Sequence, residues 1–304
     1  MRTNILTNAS LLAALALASG AAASITIGAS AVRFVDISTT GTSIGSLTDD
    51  SETTIAGAAH GWTGNGLFSG GRSFRVGNNG AILWGSSATD TFTGADQIGY
   101  YNAGPLNADG QNSIASLTAS NLAQSGNGAG LRQFIAVLWD DYFPSTAGGT
   151  NIRYQVINND LIIQWTNQDH FAAQGAGFVT FQAIFRGGVA LDSGQSLVDF
   201  VYQDTLFQAN QYQNDGGSAT IGYKNWNLIA GANDVEYGIG GGGNSAFSDP
   251  TFADGTGRQA KVSGWVDGAN SSLTHSVSII GVPTPGTAAL LTLGGLVAYR
   301  RRRK

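Results

Sequence analysis

The chain contains no cysteine. That excludes a disulfide framework, thiolate metal sites and a cysteine nucleophile. Lysine is almost missing, with Lys224, Lys261 and Lys304 as the whole supply. Charged residues are 12% of the chain, about half of the roughly 25% usual in soluble domains. The exposed helix formers are therefore scarce, and no segment between the two ends of the chain repeats convincingly with the period of a helix. Asn, Gln, Ser and Thr fill the polar positions, and 44 glycines point to many turns.

What is present is sharpest at the ends. Met1-Arg2 and a few polar residues precede the apolar run Leu11 to Ala18, which is followed by Ser19-Gly20-Ala21-Ala22-Ala23-Ser24. A short n-region, an h-region and a small-residue site make residues 1–23 a signal peptide, with signal peptidase expected to cut between Ala23 and Ser24. As a membrane helix the apolar run is too short. At the other end Val282-Pro283-Thr284-Pro285-Gly286 leads into an apolar stretch from Thr287 to Tyr299, and Arg300, Arg301, Arg302, Arg303 and Lys304 follow. The prolines break regular structure and set this segment apart. As a helix, Gly286 to Tyr299 would span about 21 Å, short of the roughly 30 Å hydrocarbon core. The basic cluster would stay on the cytoplasmic side. The stretch suits a segment that pauses in a membrane and is then processed.

Removing both ends takes away six positive residues (Arg2, the four terminal arginines and Lys304) and no acid, so the formal charge falls from −5 to −11. An acidic, lysine-poor chain lacks the basic footprint that nucleic acid requires.

The tail from Val282 to Lys304 resembles the PEP-CTERM sorting signal of bacteria that make exopolysaccharide, although Thr284 stands where that family commonly has Glu. The resemblance implies an exosortase-type membrane protease as partner, a transient membrane-spanning helix, and Val282 to Gly286 as the sorting and processing motif.

Between the signals the chain alternates. Ile152, Tyr154 and Val156 share one face, as do Leu161, Ile163 and Trp165, and Asn158-Asn159 joins the two runs as a hairpin turn. Ile163 and Trp165 are expected to face inward and Gln164 outward. Val179 to Phe185, Val198 to Tyr202 and Ala219 to Tyr223 alternate likewise, and the apolar run Phe134 to Trp139 reads as a strand buried on both faces. Many short strands with glycine-rich turns predict an all-β fold, an antiparallel β-sandwich. The order Asp36-Ile37-Ser38-Thr39-Thr40-Gly41-Thr42, Phe74-Arg75-Val76-Gly77-Asn78-Asn79-Gly80, Val137-Leu138-Trp139-Asp140-Asp141, Gln164 to Phe171, Val179 to Phe185, Phe200 to Asp204 and Ser218 to Gly222 is similar to the nidogen-like extracellular β-domain. It covers about 32–223, leaving 224–281 as a glycine-rich extension of further strands or loop.

Motifs for catalysis are weak. Gly41-Thr42-Ser43-Ile44-Gly45 fits the nucleophile-elbow spacing without the strand and helix that it needs. Gly238 to Gly243 fits a dinucleotide fingerprint only because it is nearly all glycine. His60, His170 and His275 have no paired spacing, and His170 reads as a strand-end residue bonded locally. Asp140-Asp141 follows a strand, and adjacent strand residues point to opposite faces, so turn capping is the first reading, a Ca²⁺ site the second and an acid–base pair the third. Trp139 and Trp165 lie in strand-like runs and are expected in the core. Trp62, Trp226 and Trp265 sit among glycine and asparagine, where they either stack on sugars or plug the packing. No cofactor and no catalytic residue is expected.

The expected function is that of an exported, non-enzymatic cell-surface or extracellular-matrix protein that associates with exopolysaccharide or surface proteins. The alternatives are a carbohydrate-binding module and a secreted hydrolase.

Overall fold

The computed structural model describes residues 24–30, 32–45, 47, 49, 51–85, 133–143, 151–171, 174–175, 177–204, 219–225, 235–239 and 275–282. They form fourteen strands and one short helix: β1 (Ser24–Ser30), β2 (Thr42–Ser43), β3 (Glu52–Ile55), α1 (Gly57–His60), β4 (Phe74–Gly77), β5 (Ala81–Trp84), β6 (Gln133–Trp139), β7 (Tyr142–Phe143), β8 (Asn151–Ile157), β9 (Asp160–His170), β10 (Val179–Phe185), β11 (Ser196–Asp204), β12 (Thr220–Asn225), β13 (Val235–Ile239) and β14 (His275–Val282). The fold is all-β and sandwich-like, built of two antiparallel sheets.

The first sheet runs β1-β14-β11-β10-β9-β8-β2, with β7 paired to the far end of β9. The second runs β13-β12-β6-β5-β4-β3. Alternation explains the packing. Leu161, Ile163 and Trp165 of β9, with Phe181, Ala183 and Phe185 of β10, meet Val76, Ile82, Trp84, Ile135 and Val137 of the second sheet in one buried core. Polar bonds tie the layers: the Trp165 indole donates to Gly77 O at 2.9 Å, and the Tyr202 hydroxyl donates to Val137 O at 2.7 Å. The β8–β9 hairpin turns on Asn158 and Asn159, both at positive φ (51° and 71°), as a two-residue turn between twisted strands requires. All seven residues of β6 are buried, as its continuous apolar run predicts.

The expectation for Gln164 fails in an instructive way. Its side chain does lie on the face opposite Ile163 and Trp165, but it is wholly buried there. The segment from Val32 to Gly41 crosses that outer face and covers it. Ile37, Ile162, Ile184 and Val201 form a second small core beneath it, joined by Val32, Phe34 and Ile157. Two amides hold the segment. Gln164 Oε1 accepts from Ile37 N at 2.8 Å, and its Nε2 donates to Asp36 Oδ1 at 3.1 Å. Gln182, with its amide turned to suit both partners, accepts from Val35 N at 2.9 Å and donates to Val35 O at 3.3 Å. Buried amides need such partners.

β1 and β14 lie outside the 32–223 stretch read as the domain, yet both are in its first sheet. β14 is an interior strand between β1 and β11. Among the described residues no helix is long and apolar enough to cross a membrane. Residues 1–23 and 283–304, with the expected signal peptide and all of the tail after Val282, lie outside the described residues.

Candidate functional site

The strand directions gather opposite features at the two ends of the sandwich. One end carries the start of β1, the end of β14, the Asn158-Asn159 turn and the loop from Arg186 to Gln195. There Ser24 pairs with Val282 in the β1–β14 register. The residues expected to flank the two processing sites are therefore neighbours, although 258 positions separate them in the chain. Of the expected motifs, Ser24 and Val282 are placed. Ala23, Pro283, Thr284, Pro285, Gly286, Arg300, Arg301, Arg302 and Arg303 lie outside the described residues.

Close to this end is a buried polar network. Asp199, on the outer face of the first sheet, accepts from Arg186 Nε at 2.5 Å and from Ser196 Oγ at 2.5 Å. It also accepts from Ser278 Oγ of β14. Arg186 reaches on to Asp160 Oδ2 at 2.7 Å. Burial opposes the Arg186 charge, but Asp199 and Asp160 outweigh it and raise its pKa.

The opposite end carries the Asp140-Asp141 pair. Asp140 lies just past β6 and is 2% exposed. Its Oδ1 accepts from Asp141 N at 2.9 Å, which is the turn-capping arrangement, and lies 3.5 Å from His170 Nε2. His170 ends β9, and β7 pairs with that end, Tyr142 opposite His170 and Phe143 opposite Asp169. Asp169 accepts from His170 N at 2.9 Å and from Gly175 N at 2.7 Å. Asn79 Oδ1 accepts from Tyr142 N at 2.8 Å, and Asn78 Nδ2 donates to Tyr142 O at 2.9 Å. Burial lowers the His170 pKa, but Asp140, through charge and hydrogen bond, then Asp141 and Asp169 outweigh it, so the net shift is upward. The cluster is a charge-assisted clamp between the β6–β7 turn and β9. Among the described residues no three His, Asp or Glu side chains are grouped to hold a metal ion.

The remaining candidates fall elsewhere. Trp62 is 1% exposed, not a sugar platform: its indole donates to Asn159 O at 2.8 Å, and its ring packs on Trp84 and Phe185. Trp84, Trp139 and Trp165 are also buried, while Trp226 and Trp265 lie outside the described residues. Ser43 lies on the two-residue edge strand β2, and its hydroxyl accepts from Gly45 N at 3.2 Å. The exposed aromatic at the acidic end is Phe171, 48% exposed, with Phe143 at 5.9 Å and a 63° tilt.

The sequence reading missed the polar pins of β14. Their signal was present, since Ser276 and Ser278 alternate with Val277 and Ile279. Comparison of the chain with protein-family models, with curated proteins and with solved structures gives no match.

Proposed function

We propose that this is an exported, non-enzymatic cell-surface or extracellular-matrix protein. It is trimmed at Ala23–Ser24 and sorted by a PEP-CTERM-type tail, and its nidogen-like β-sandwich associates with exopolysaccharide or surface proteins. The observation that carries the reading is the register that sets Ser24 beside Val282. A folded domain held at the membrane by its tail would carry its new N-terminus on the same side. Antiparallel partners lie about 5 Å apart, so here they leave the sheet together. The rest of the sandwich then points away from the membrane.

The rival readings fit less well. Sugar binding calls for an aromatic platform, and the four described tryptophans are buried while the exposed Phe171 is tilted against Phe143. A hydrolase calls for carboxylates aimed at a substrate, whereas Asp140 and Asp169 are engaged by backbone N–H groups and by His170. The test is a chain ending at Val282. It should be exported and folded, with an all-strand far-ultraviolet circular dichroism spectrum, and lost from the cell surface into the medium. Surface retention equal to wild type would contradict the sorting role.

A further inference from the structure

We propose that β1, the crossing segment 32–41 and β2 form one detachable arm, and that two copies of this chain associate by exchanging it, each arm filling the other copy's docking site. The exchange does not depend on where the chain is processed.

The arm touches the fold from outside. β1 and β2 are the two end strands of the first sheet, and among the described residues β1 pairs with β14 alone and β2 with β8 alone. Between them the segment crosses the outer face of the same sheet. β1 also lies near β13, itself an end strand of the second sheet. The arm can therefore leave without any strand being drawn from between two others.

Its docking site is a single row across the sheet. Ser276, Val201, Gln182, Gln164 and Arg153 are successive register partners on β14, β11, β10, β9 and β8. The row ends on Ser30 and Ser43 of the arm itself. Four of these side chains bond the arm's backbone. Ser276 Oγ accepts from Val32 N at 2.8 Å, and Gln182 accepts from Val35 N and donates to Val35 O. Gln164 Oε1 accepts from Ile37 N, and Arg153 Nη1 donates to Gly41 O at 2.7 Å. Main-chain bonds give an extended segment its affinity, and side-chain pockets give it specificity. The pocket here takes Ile37, which is wholly buried with Ile162, Ile184 and Val201.

A second copy carries the matching segment by construction. Reciprocal exchange remakes every tie and needs no new complementary surface. The chain also supplies a hinge. β2 is two residues long, and Gly45 just beyond it is exposed, at φ 95°, with nothing near the place of a Cβ. Glycine moves between such a turn and an extended form at no steric cost.

The chain has no cysteine, so introduced thiols report only on each other. Ser30 Oγ and Ser276 Oγ lie 2.6 Å apart, close enough for a disulfide in their place. The test co-expresses full-length Ser30→Cys and Ser276→Cys chains, recovers them in detergent, oxidises them and reads intact mass. The expected product has the mass of two chains, is joined between positions 30 and 276, and is lost on reduction. If Ser276→Cys does not fold, Thr40→Cys with Gln155→Cys, whose native side chains meet at 2.8 Å, gives the same reading with a short thiol-reactive bridge. One chain carrying both Ser30→Cys and Ser276→Cys should form the bond within itself or between copies, and a folded chain that forms neither overturns the docked arm. Folded chains that stay single in the mixture, or that join 30 to 30 or 276 to 276 instead, overturn the exchange.

Discussion

His60 and His170 lie at opposite ends of the sandwich, and both are buried. His60, closing α1 near the paired termini, meets Arg72 O through Nε2 at 2.8 Å, accepts from Trp62 N through Nδ1 at 3.2 Å, and packs on Phe74. Burial is the larger influence and lowers its pKa, which favours the neutral ring. His170 is also desolvated, yet three carboxylates at its end raise its pKa. The same residue type at similar burial is pushed in opposite directions, and the partner decides: a carbonyl dipole does not compensate a buried charge, whereas a carboxylate can. A second difference runs parallel. At the terminal end the acid Asp199 faces Arg186, which cannot shed its charge; at the other end Asp140 faces His170, which can.

That difference predicts unequal costs for removing the acid. Asp199→Ala leaves Arg186, Ser196 and Ser278 without their common acceptor. It should cost about 3–5 kcal/mol in urea unfolding, toward the lower figure because the Arg186 side chain is 28% exposed and water reaches it. Asp140→Ala should cost less, about 1–3 kcal/mol, because His170 can lose its proton once the carboxylate is gone. Equal costs would erase the contrast between the ends.

Gln164→Ala sharpens a different comparison, between the two faces of the first sheet. It should cost about 1–3 kcal/mol, since Ile37 N and the Asp36 carboxylate lose their partner beneath a covered face. A cost within about 0.5 kcal/mol would mean that the segment from Val32 to Gly41 does not cover that face in solution.

The legible parts of the fold were those with local periodicity. β8, β9 and their turn could be read because Ile152 to Trp165 carries both the alternation and the Asn-Asn pair within one stretch. Gln164 was misread because its covering segment comes from more than a hundred positions away. The apolar Ile162, Ile184 and Val201 on the same outer face were the overlooked sign that this face is covered. Trp62 sits in a glycine-rich loop without period, and its place in the core depends on Asn159, 97 positions on. The signs of the two histidine shifts were illegible for the same reason, because the groups that set them include residues of other elements. The motif residues of the tail could be recognised by pattern, but not the fact that the strand before them is paired to Ser24.

The smallest effect is in the pH dependence. Because the folded pKa of His170 is raised, its contribution is fully present below its ordinary value of 6.5 and is lost as pH rises through the folded pKa. His60 has a lowered pKa, so its contribution is present above 6.5 and is lost as pH falls through the folded pKa. The two oppose each other in the wild type. His170→Gln should leave a chain that loses stability on acidification below pH 6.5, and His60→Gln one that loses it on alkalinisation above pH 6.5. Each slope is bounded by about 1.4 kcal/mol per pH unit for one proton. Slopes of the same sign in the two variants would remove the distinction between the histidines.

Whether the two paired ends are the two ends of the working protein is decided most directly by intact-mass measurement of wild-type protein recovered from the cell envelope and from the medium. The predicted mature chain begins at Ser24 and ends between Val282 and Gly286. A recovered chain that keeps Met1, or that still carries Tyr299 and Arg300 to Arg303, would contradict it.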